Sequence, residues 1–292
     1  MPDLLPQPIT QWMQRADLRL VGIESLTGGS VSQVQRLDLK SPDNTELKLV
    51  LKQVYGAGQG LFAAEAEGLD VLRLQQSEAL LVPRVLLQTD NCLLLEYLRS
   101  GSPTTAFDQQ LATGLMLQHR QYGPGFGFSR DTFCGGTRQD NSWQQDGRDF
   151  FAEQRLQPLI SGCRNKGLLT SEEVRQLERL TGCLHQLIPE QPAVLLHGDL
   201  WHGNLICGPS GEPALIDPAV YYGWAEAELA MTLLFGGFSD RFYDLYAEQA
   251  DLLPDWQSRT DLYNLYHYLN HLLLFGEVYH RDVMGIVKYY SD

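Results

Sequence analysis

Cysteine is scarce and unpaired in this chain. Cys92, Cys134, Cys163, Cys183 and Cys207 are scattered, odd in number and never spaced as C-x-x-C. This argues against a disulfide framework and a zinc site, and for free thiols in a reducing compartment. Long apolar runs are missing too. No stretch approaches the roughly 20 consecutive apolar residues of a membrane span, and no basic stretch leads into an apolar core at the N-terminus. A cytoplasmic protein with no membrane contact is therefore expected. Basic residues are the third shortage: 22 Lys and Arg stand against 36 Asp and Glu, a net charge of −14. That balance repels nucleic acid and anionic membranes and suits neutral or cationic substrates. Repeats and low-complexity tracts are absent. What remains is 292 residues, 43% hydrophobic, enough for a sizeable core in one large or two moderate domains.

The chemistry concentrates in His197-Gly198-Asp199-Leu200-Trp201-His202-Gly203-Asn204. Two short apolar runs follow, Leu205 to Cys207 and Ala214 to Ile216, around the turn-rich Gly208-Pro209-Ser210-Gly211-Glu212, and Asp217-Pro218 ends the unit. The pattern predicts a hairpin that folds Asp217 back beside Asn204. Phosphoryl transfer needs one carboxylate to accept the proton of the attacking hydroxyl, and hard oxygen ligands for the Mg²⁺ on the triphosphate of ATP. Asp199 is read as the base, ionised near neutral pH as a superficial loop carboxylate is. Asn204 and Asp217 are read as the metal ligands. His197 is taken to orient backbone, and His202 has no second histidine at zinc-ligand spacing.

Upstream, Gly28, Gly29 and Ser30 precede the strand-like Val34 to Leu39, where backbone N–H groups can approach phosphates, although any hairpin uses such glycines. The strand Leu47 to Val54 places Lys48 and Lys52 on one face by period-two alternation, so parity does not separate them. Lys52 lies at the inner end of the apolar run Leu49 to Leu51, and Lys48 nearer a polar turn. Lys52 is therefore preferred for the α- and β-phosphates. In the next helix Phe62, Leu69 and Leu72 define an apolar face that also carries Glu65. A carboxylate there is costly unless paired, and Lys52 is its natural cation. Leu93 to Leu98 reads as a buried strand running into the Gly/Pro-containing Arg99 to Pro103. This predicts a hinge at about 96–103, between a nucleotide-binding lobe at 1–98 and a catalytic and substrate lobe at 99–292. The backbone of Glu96 and Leu98 would read an adenine edge there. Trp201, Trp143, Tyr266, Asn270 and His271 are candidates to line the acceptor pocket, with core packing as the alternative.

With these residues assembled, the chain resembles the fructosamine/ketosamine 3-kinases, a branch of the aminoglycoside phosphotransferase and protein-kinase-like superfamily. The resemblance covers nearly the whole length. It is carried by the His197 to Asn204 loop, Ile216-Asp217-Pro218-Ala219 with Tyr222-Gly223, and Glu228-Leu229-Ala230-Met231. Further carriers are Leu51-Lys52, Glu65, Leu95-Glu96, Phe126-Gly127, Asn141-Ser142-Trp143, Phe150-Phe151-Ala152-Glu153-Gln154-Arg155, and Leu269-Asn270-His271 with Leu274-Phe275-Gly276. The resemblance implies a bilobal α+β fold with a small β-rich N-lobe and a larger, mainly helical C-lobe. It implies MgATP-dependent phosphorylation of the sugar 3-hydroxyl of ketosamines, as small molecules or on glycated proteins. Such phosphoesters shed the sugar, which is a deglycation and protein-repair activity, here expected of a monomer. Two departures from the family pattern, Trp224 after Gly223 and Gln118 where a histidine commonly follows leucine, bear on substrate preference. The competing readings are a small-molecule kinase acting on an aminoglycoside, choline-like or amino-alcohol acceptor, and a nucleotide-binding pseudokinase.

Overall fold

The structure is a computed structural model and describes residues 5–26, 31–56, 60–74 and 79–290. Gly28, Gly29 and Ser30 of the expected phosphate loop lie outside the described residues. Alternating and apolar runs in the first hundred residues form β1 (Arg19–Ser25), β2 (Gln33–Lys40), β3 (Glu46–Gln53), β4 (Val85–Gln88) and β5 (Cys92–Glu96). They pair as one antiparallel sheet in the order β1-β2-β3-β5-β4. The sheet is covered on both faces. Helix α1 (Gln7–Arg15) sets Ile9 and Met13 against Leu37, Leu39, Leu49, Leu51, Cys92 and Leu94. Helix α2 (Leu61–Leu74) sets Phe62, Leu69 and Leu72 against Leu93 and Leu95. Burial on both sides is why β5 reads as an unbroken apolar run rather than an alternating one.

After β5 the chain passes into α3 (Phe107–His119) and the hairpin of β6 (Thr132–Cys134) and β7 (Thr137–Gln139). Helix α4 (Gly147–Phe150) runs through a π-helical turn, Phe151–Leu156, into α5 (Gln157–Asn165). That turn holds most of the Phe-Phe-Ala-Glu-Gln-Arg motif, and it swings Arg155 into the core. The Arg155 guanidinium donates to the Asp140 carbonyl at 2.7 Å and to Asn141 Oδ1, and packs over the Phe150 and Tyr221 rings at 4.5 and 4.4 Å. Asn141 in turn donates to the Arg130 carbonyl and the Thr132 hydroxyl, which fixes the base of the β6–β7 hairpin. Helix α6 (Ser171–Gly182) opens on a capping box between Thr170 and Glu173 and buries Val174, Leu177 and Leu180 at helical spacing. The short α7 (Leu184–Leu187) leads to β8 (Val194–Leu196).

The predicted hairpin is β9 (Leu205–Cys207) with β10 (Pro213–Leu215), antiparallel, and β11 (Tyr221–Gly223) pairs with β8. Helices α8 (Ala225–Thr232), α9 (Asp240–Ala247), α10 (Thr260–Phe275) and α11 (His280–Tyr289) complete the larger lobe. One apolar cluster joins the two halves of the chain, with Phe62, Leu69 and Leu93 packed among Leu111, Leu115, Leu195, Leu200 and Leu229. The loop after β8 is thereby seated where the sheet-bearing and helical parts meet. No helix among the described residues is long and apolar enough to cross a membrane.

Candidate active site

The loop leaving β8 is fixed by its backbone before any chemistry begins. His197 is fully buried, and burial holds its imidazole below the ordinary value and therefore neutral. Its Nε2–H donates to the Ile216 carbonyl at 2.9 Å while Nδ1 accepts the Asp199 amide at 3.4 Å. The structural part expected of His197 matches this geometry. At Gly198 φ is +81°, and a Cβ would stand 2.1 Å from the Ala219 carbonyl oxygen, so only glycine fits. The amides of His197 and Gly198 donate to the two oxygens of Glu228, in α8, at 3.0 and 2.7 Å. Gln118 Nε2 and His119 Nε2 reach the same carboxylate, each at 3.1 Å. Burial pushes Glu228 up, but His119 and the loop amides outweigh it and hold the carboxyl below its ordinary value. Gln118, one of the departures from the family pattern, thus sits in the support of the loop.

Sequence reasoning had no role for Glu228. It lies among apolar helix residues, and its partners come from segments some 30 and 110 residues away in the chain. Glu228→Ala should strand two buried loop amides at a cost of about 1–3 kcal/mol each. Thermal unfolding should show a clear drop in Tm, with a smaller drop for Glu228→Gln, which keeps one acceptor.

Asn204 Nδ2 donates to the Asp199 carbonyl at 2.8 Å and to its carboxylate at 3.2 Å, which leaves Asn204 Oδ1 as the group it can offer a cation. The Ile216 amide donates to the Asn204 carbonyl at 3.0 Å, so the hairpin does carry Asp217 back beside Asn204. Asp217 itself adopts φ 57°, a left-handed conformation rare outside glycine and best tolerated by Asn and Asp. Lys52 reaches across from β3 to Glu65 at 2.6 Å and to Asp217 at 2.5 Å. Burial alone would lower the Lys52 pKa, but the two carboxylates overcome it and the ammonium is held above its ordinary value. Burial pushes Glu65 up, against the pull of Lys52. Lys48 is on the same face of β3 but exposed, near the outer end of the strand.

Breaking a buried pair costs about 3–5 kcal/mol, whereas exposed pairs contribute about 0–1. Lys52→Ala is therefore expected to raise the KM for ATP or cut kcat by at least about tenfold. Glu65→Ala should do so more mildly and Lys48→Ala hardly at all. Steady-state kinetics on the three variants reads the order directly.

Lys52, Glu65, Asp199, Asn204 and Asp217 line one cavity of about 420 Å³ with Trp201, Phe235, His271, Phe275 and Tyr279 on one wall and Thr132 to Gly135 on another. Asp199 is not superficial, as the sequence suggested. It is half-buried and lines the cavity, where burial first and the neighbouring Asp217 second push its carboxyl up to about 7.

The acceptor-side expectations divide. Trp201 and His271 face the cavity, linked through Phe235, whose ring centroid lies 5.7 Å from Trp201 and 5.2 Å from His271. Phe235, at φ 56°, had no signal in the sequence. Asn270 also lines the cavity, but Thr137 donates to its Oδ1 and its Nδ2 donates to the Cys134 carbonyl at 3.2 Å, so it anchors the β6–β7 hairpin. Trp143 and Tyr266 are not brought to the cavity. Trp143 lies on the Tyr222 ring at 5.9 Å, and Tyr266 is buried with its hydroxyl accepting from Gln139 at 2.9 Å. At the expected hinge the Glu96 amide is used by the Arg84 carbonyl at 2.9 Å, so any reading of an adenine edge there falls to the Glu96 carbonyl and to Leu98. Trp224, the other departure, packs in the core against Phe126, Phe151 and Tyr263, away from the cavity.

A sheet-bearing lobe with a lysine–glutamate pair, set over a carboxylate-bearing loop in a helical lobe, defines a phosphotransferase of the protein-kinase-like fold. An aminoglycoside phosphotransferase in complex with gentamicin shares that fold at 15% identity and TM-score 0.64, with 99% of this chain and 96% of that one covered. The chain belongs to the fructosamine kinase family, whose model matches residues 7–291. It is 35% identical over 269 residues to a probable ketoamine kinase of Synechocystis, covering 90% of this chain and 88% of that one. The crystal structure of a protein assigned as a fructosamine-3-kinase from Thermobifida fusca superposes with TM-score 0.86 at 30% identity, covering 97% of each chain.

Proposed function

We propose that the protein phosphorylates the sugar 3-hydroxyl of ketosamines with ATP as donor, and that Asp199, Asn204, Asp217, Lys52 and Glu65 carry the reaction. The observation that carries this reading is the gathering of those five side chains around one cavity. Its remaining wall, Trp201, Phe235 and His271, offers aromatic faces to an acceptor. Family membership and the names of the relatives support ketosamines over the aminoglycoside and choline-like alternatives.

The donor set suits Mg²⁺, since Asn204 Oδ1 and the Asp217 carboxylate are hard oxygens. When bound there, Mg²⁺ neutralises charge on the phosphates of ATP. Lys52, locked by Glu65, presents its ammonium to the phosphates. Asn204 holds the Asp199 carboxylate by its side-chain amide, and Asp199 accepts the proton of the attacking hydroxyl. The 3-phosphate leaves by β-elimination as inorganic phosphate and water then hydrolyses the resulting imine to free the amine, so the biological outcome we infer is deglycation of small molecules or proteins. We place the boundary between the lobes at about 96–103 and read the protein as a cytoplasmic monomer. Its cysteines are all free, in keeping with a reducing compartment.

Incubation with ATP and a panel of ribulosyl-lysine, fructosyl-lysine, an aminoglycoside and choline, followed by ³¹P NMR, tests the reading. A sugar 3-phosphate formed from one of the ketosamines in clear preference is the expected result. Preference for the aminoglycoside or choline would overturn it.

A further inference from the structure

Where Cys134 and Asp199 line the cavity, three side chains from distant segments bring ligand atoms close together. Cys134 is buried at the end of β6, with its thiol within 4.8 Å of an Asp199 carboxylate oxygen. His267 enters from α10, more than nine-tenths buried, with no hydrogen-bond partner for its Nδ1. Buried polar atoms of this kind are nearly always satisfied, so a buried imidazole with an unpartnered ring nitrogen, in a cluster with a thiol and a carboxylate, calls for a ligand. The Cys134 Sγ, a carboxylate oxygen of Asp199 and a ring nitrogen of His267 all lie within 4.8 Å of one another. Across a tetrahedral zinc ion, sulfur and nitrogen ligands stand about 3.5 Å apart, so modest side-chain rotations close the set.

We propose that Cys134, Asp199 and His267 form a site for a borderline-soft divalent cation, Zn²⁺ in particular, and that its occupancy silences the enzyme by engaging Asp199. The chemistry of the donors selects the metal. Thiolate and imidazole suit zinc and disfavour Mg²⁺, whose all-oxygen preference is met on the other side of Asp199 by Asn204 and Asp217. His267 is neutral and its lone pair available. The Cys134 proton passes to solvent as the Zn–S bond forms. A fourth position is left to water in the cavity, where an acceptor hydroxyl would otherwise approach. Positions 134, 199 and 267 share no motif spacing, and only the fold assembles them. The binding half of the proposal stands on this geometry alone, whereas the inhibitory half rests on Asp199 being the base.

Cobalt reports the site without reference to activity, since a thiolate–Co²⁺ bond gives a charge-transfer band in the near ultraviolet. Chelator-treated protein titrated with Co²⁺, without nucleotide, should develop that band at one equivalent and lose it on addition of Zn²⁺. The band should vanish in Cys134→Ser, weaken by about tenfold or more in affinity in His267→Gln, and persist in Cys183→Ser and Cys207→Ser. X-ray absorption of the zinc-loaded wild-type protein needs no variant and should show one sulfur among nitrogen and oxygen scatterers. Absence of a band or of a sulfur scatterer in the wild type, or a band that survives Cys134→Ser, overturns the site. In kinetics, Zn²⁺ should compete with the ketosamine, and its half-inhibitory concentration should rise about tenfold or more in Cys134→Ser and His267→Gln, each compared with its own zinc-free rate. A thiolate-bound metal that leaves turnover untouched would keep the site and overturn its inhibitory role, together with the assignment of Asp199.

Discussion

Asp199→Asn is expected to lower kcat by roughly 10²- to 10⁴-fold while leaving the affinity for ATP nearly unchanged. The substitution keeps the shape of the side chain and leaves the bond from Asn204 Nδ2 to the position-199 carbonyl in place. What it removes is the capacity to take a proton. Full turnover in this variant would sink the base assignment. The pH profile gives a second reading. With its carboxyl pushed up to about 7 by burial and Asp217, Asp199 is fully ionised only above that value. The acid limb of kcat/KM should therefore lie near 7 or lower, lower to the extent that a cation at Asp217 favours the anion. Stability carries the opposite sign. The unfolded chain gives up this proton near the ordinary 3.8 while the folded chain retains it to about 7, so stability falls as pH rises through that window and stays low above it. Asp199→Asn should accordingly raise Tm above pH 7 and change it little near pH 4. A functional carboxylate held in a desolvated place at the expense of stability behaves this way, and a structural one does not.

The parts of the site that were legible in the sequence are those specified by local rules. Asn204 and Asp217 are brought together by a hairpin whose strands and turn are written in 12 consecutive residues or so, and β9 and β10 form as read. Lys52 and Glu65 were reachable through the period of the strand and the helix, because a charge on an apolar face demands a partner. Where period alone was ambiguous, the end of the apolar run decided, and Lys48 is exposed while Lys52 is buried. The illegible parts are those set by tertiary contact. Trp143 and Tyr266 have the composition of pocket residues, but a ring on Tyr222 and a bond to Gln139 draw them elsewhere. Exposure of Asp199 could not be read from a Gly-flanked loop, because the walls that desolvate it come from β6, α10 and the Asp217 hairpin. Cys134, counted as one of five unremarkable thiols, comes within 4.8 Å of Asp199 on a hairpin anchored by Asn141, Arg155 and Asn270, none of them near it in sequence except Asn141.

The largest loss is expected from Asp217→Ala, which should abolish turnover and weaken MgATP binding beyond rescue by added Mg²⁺. Three contributions disappear together. Lys52 keeps Glu65 but loses its shorter contact, at 2.5 Å, and with it the link between β3 and the loop of the helical lobe. The metal set is reduced to Asn204, a neutral single-oxygen ligand that does not hold Mg²⁺ by itself. The backbone also suffers, because alanine at φ 57° costs about 1–2 kcal/mol that aspartate offsets through local hydrogen bonding. Asp217→Asn separates these effects, since asparagine tolerates the left-handed conformation and keeps an oxygen but not the charge. If the charge is what matters, Asp217→Asn should fold with near wild-type Tm and still show little turnover, with MgATP binding weakened as measured by calorimetry. Wild-type binding of MgATP by Asp217→Ala would contradict the assignment of Asp217 as a metal ligand.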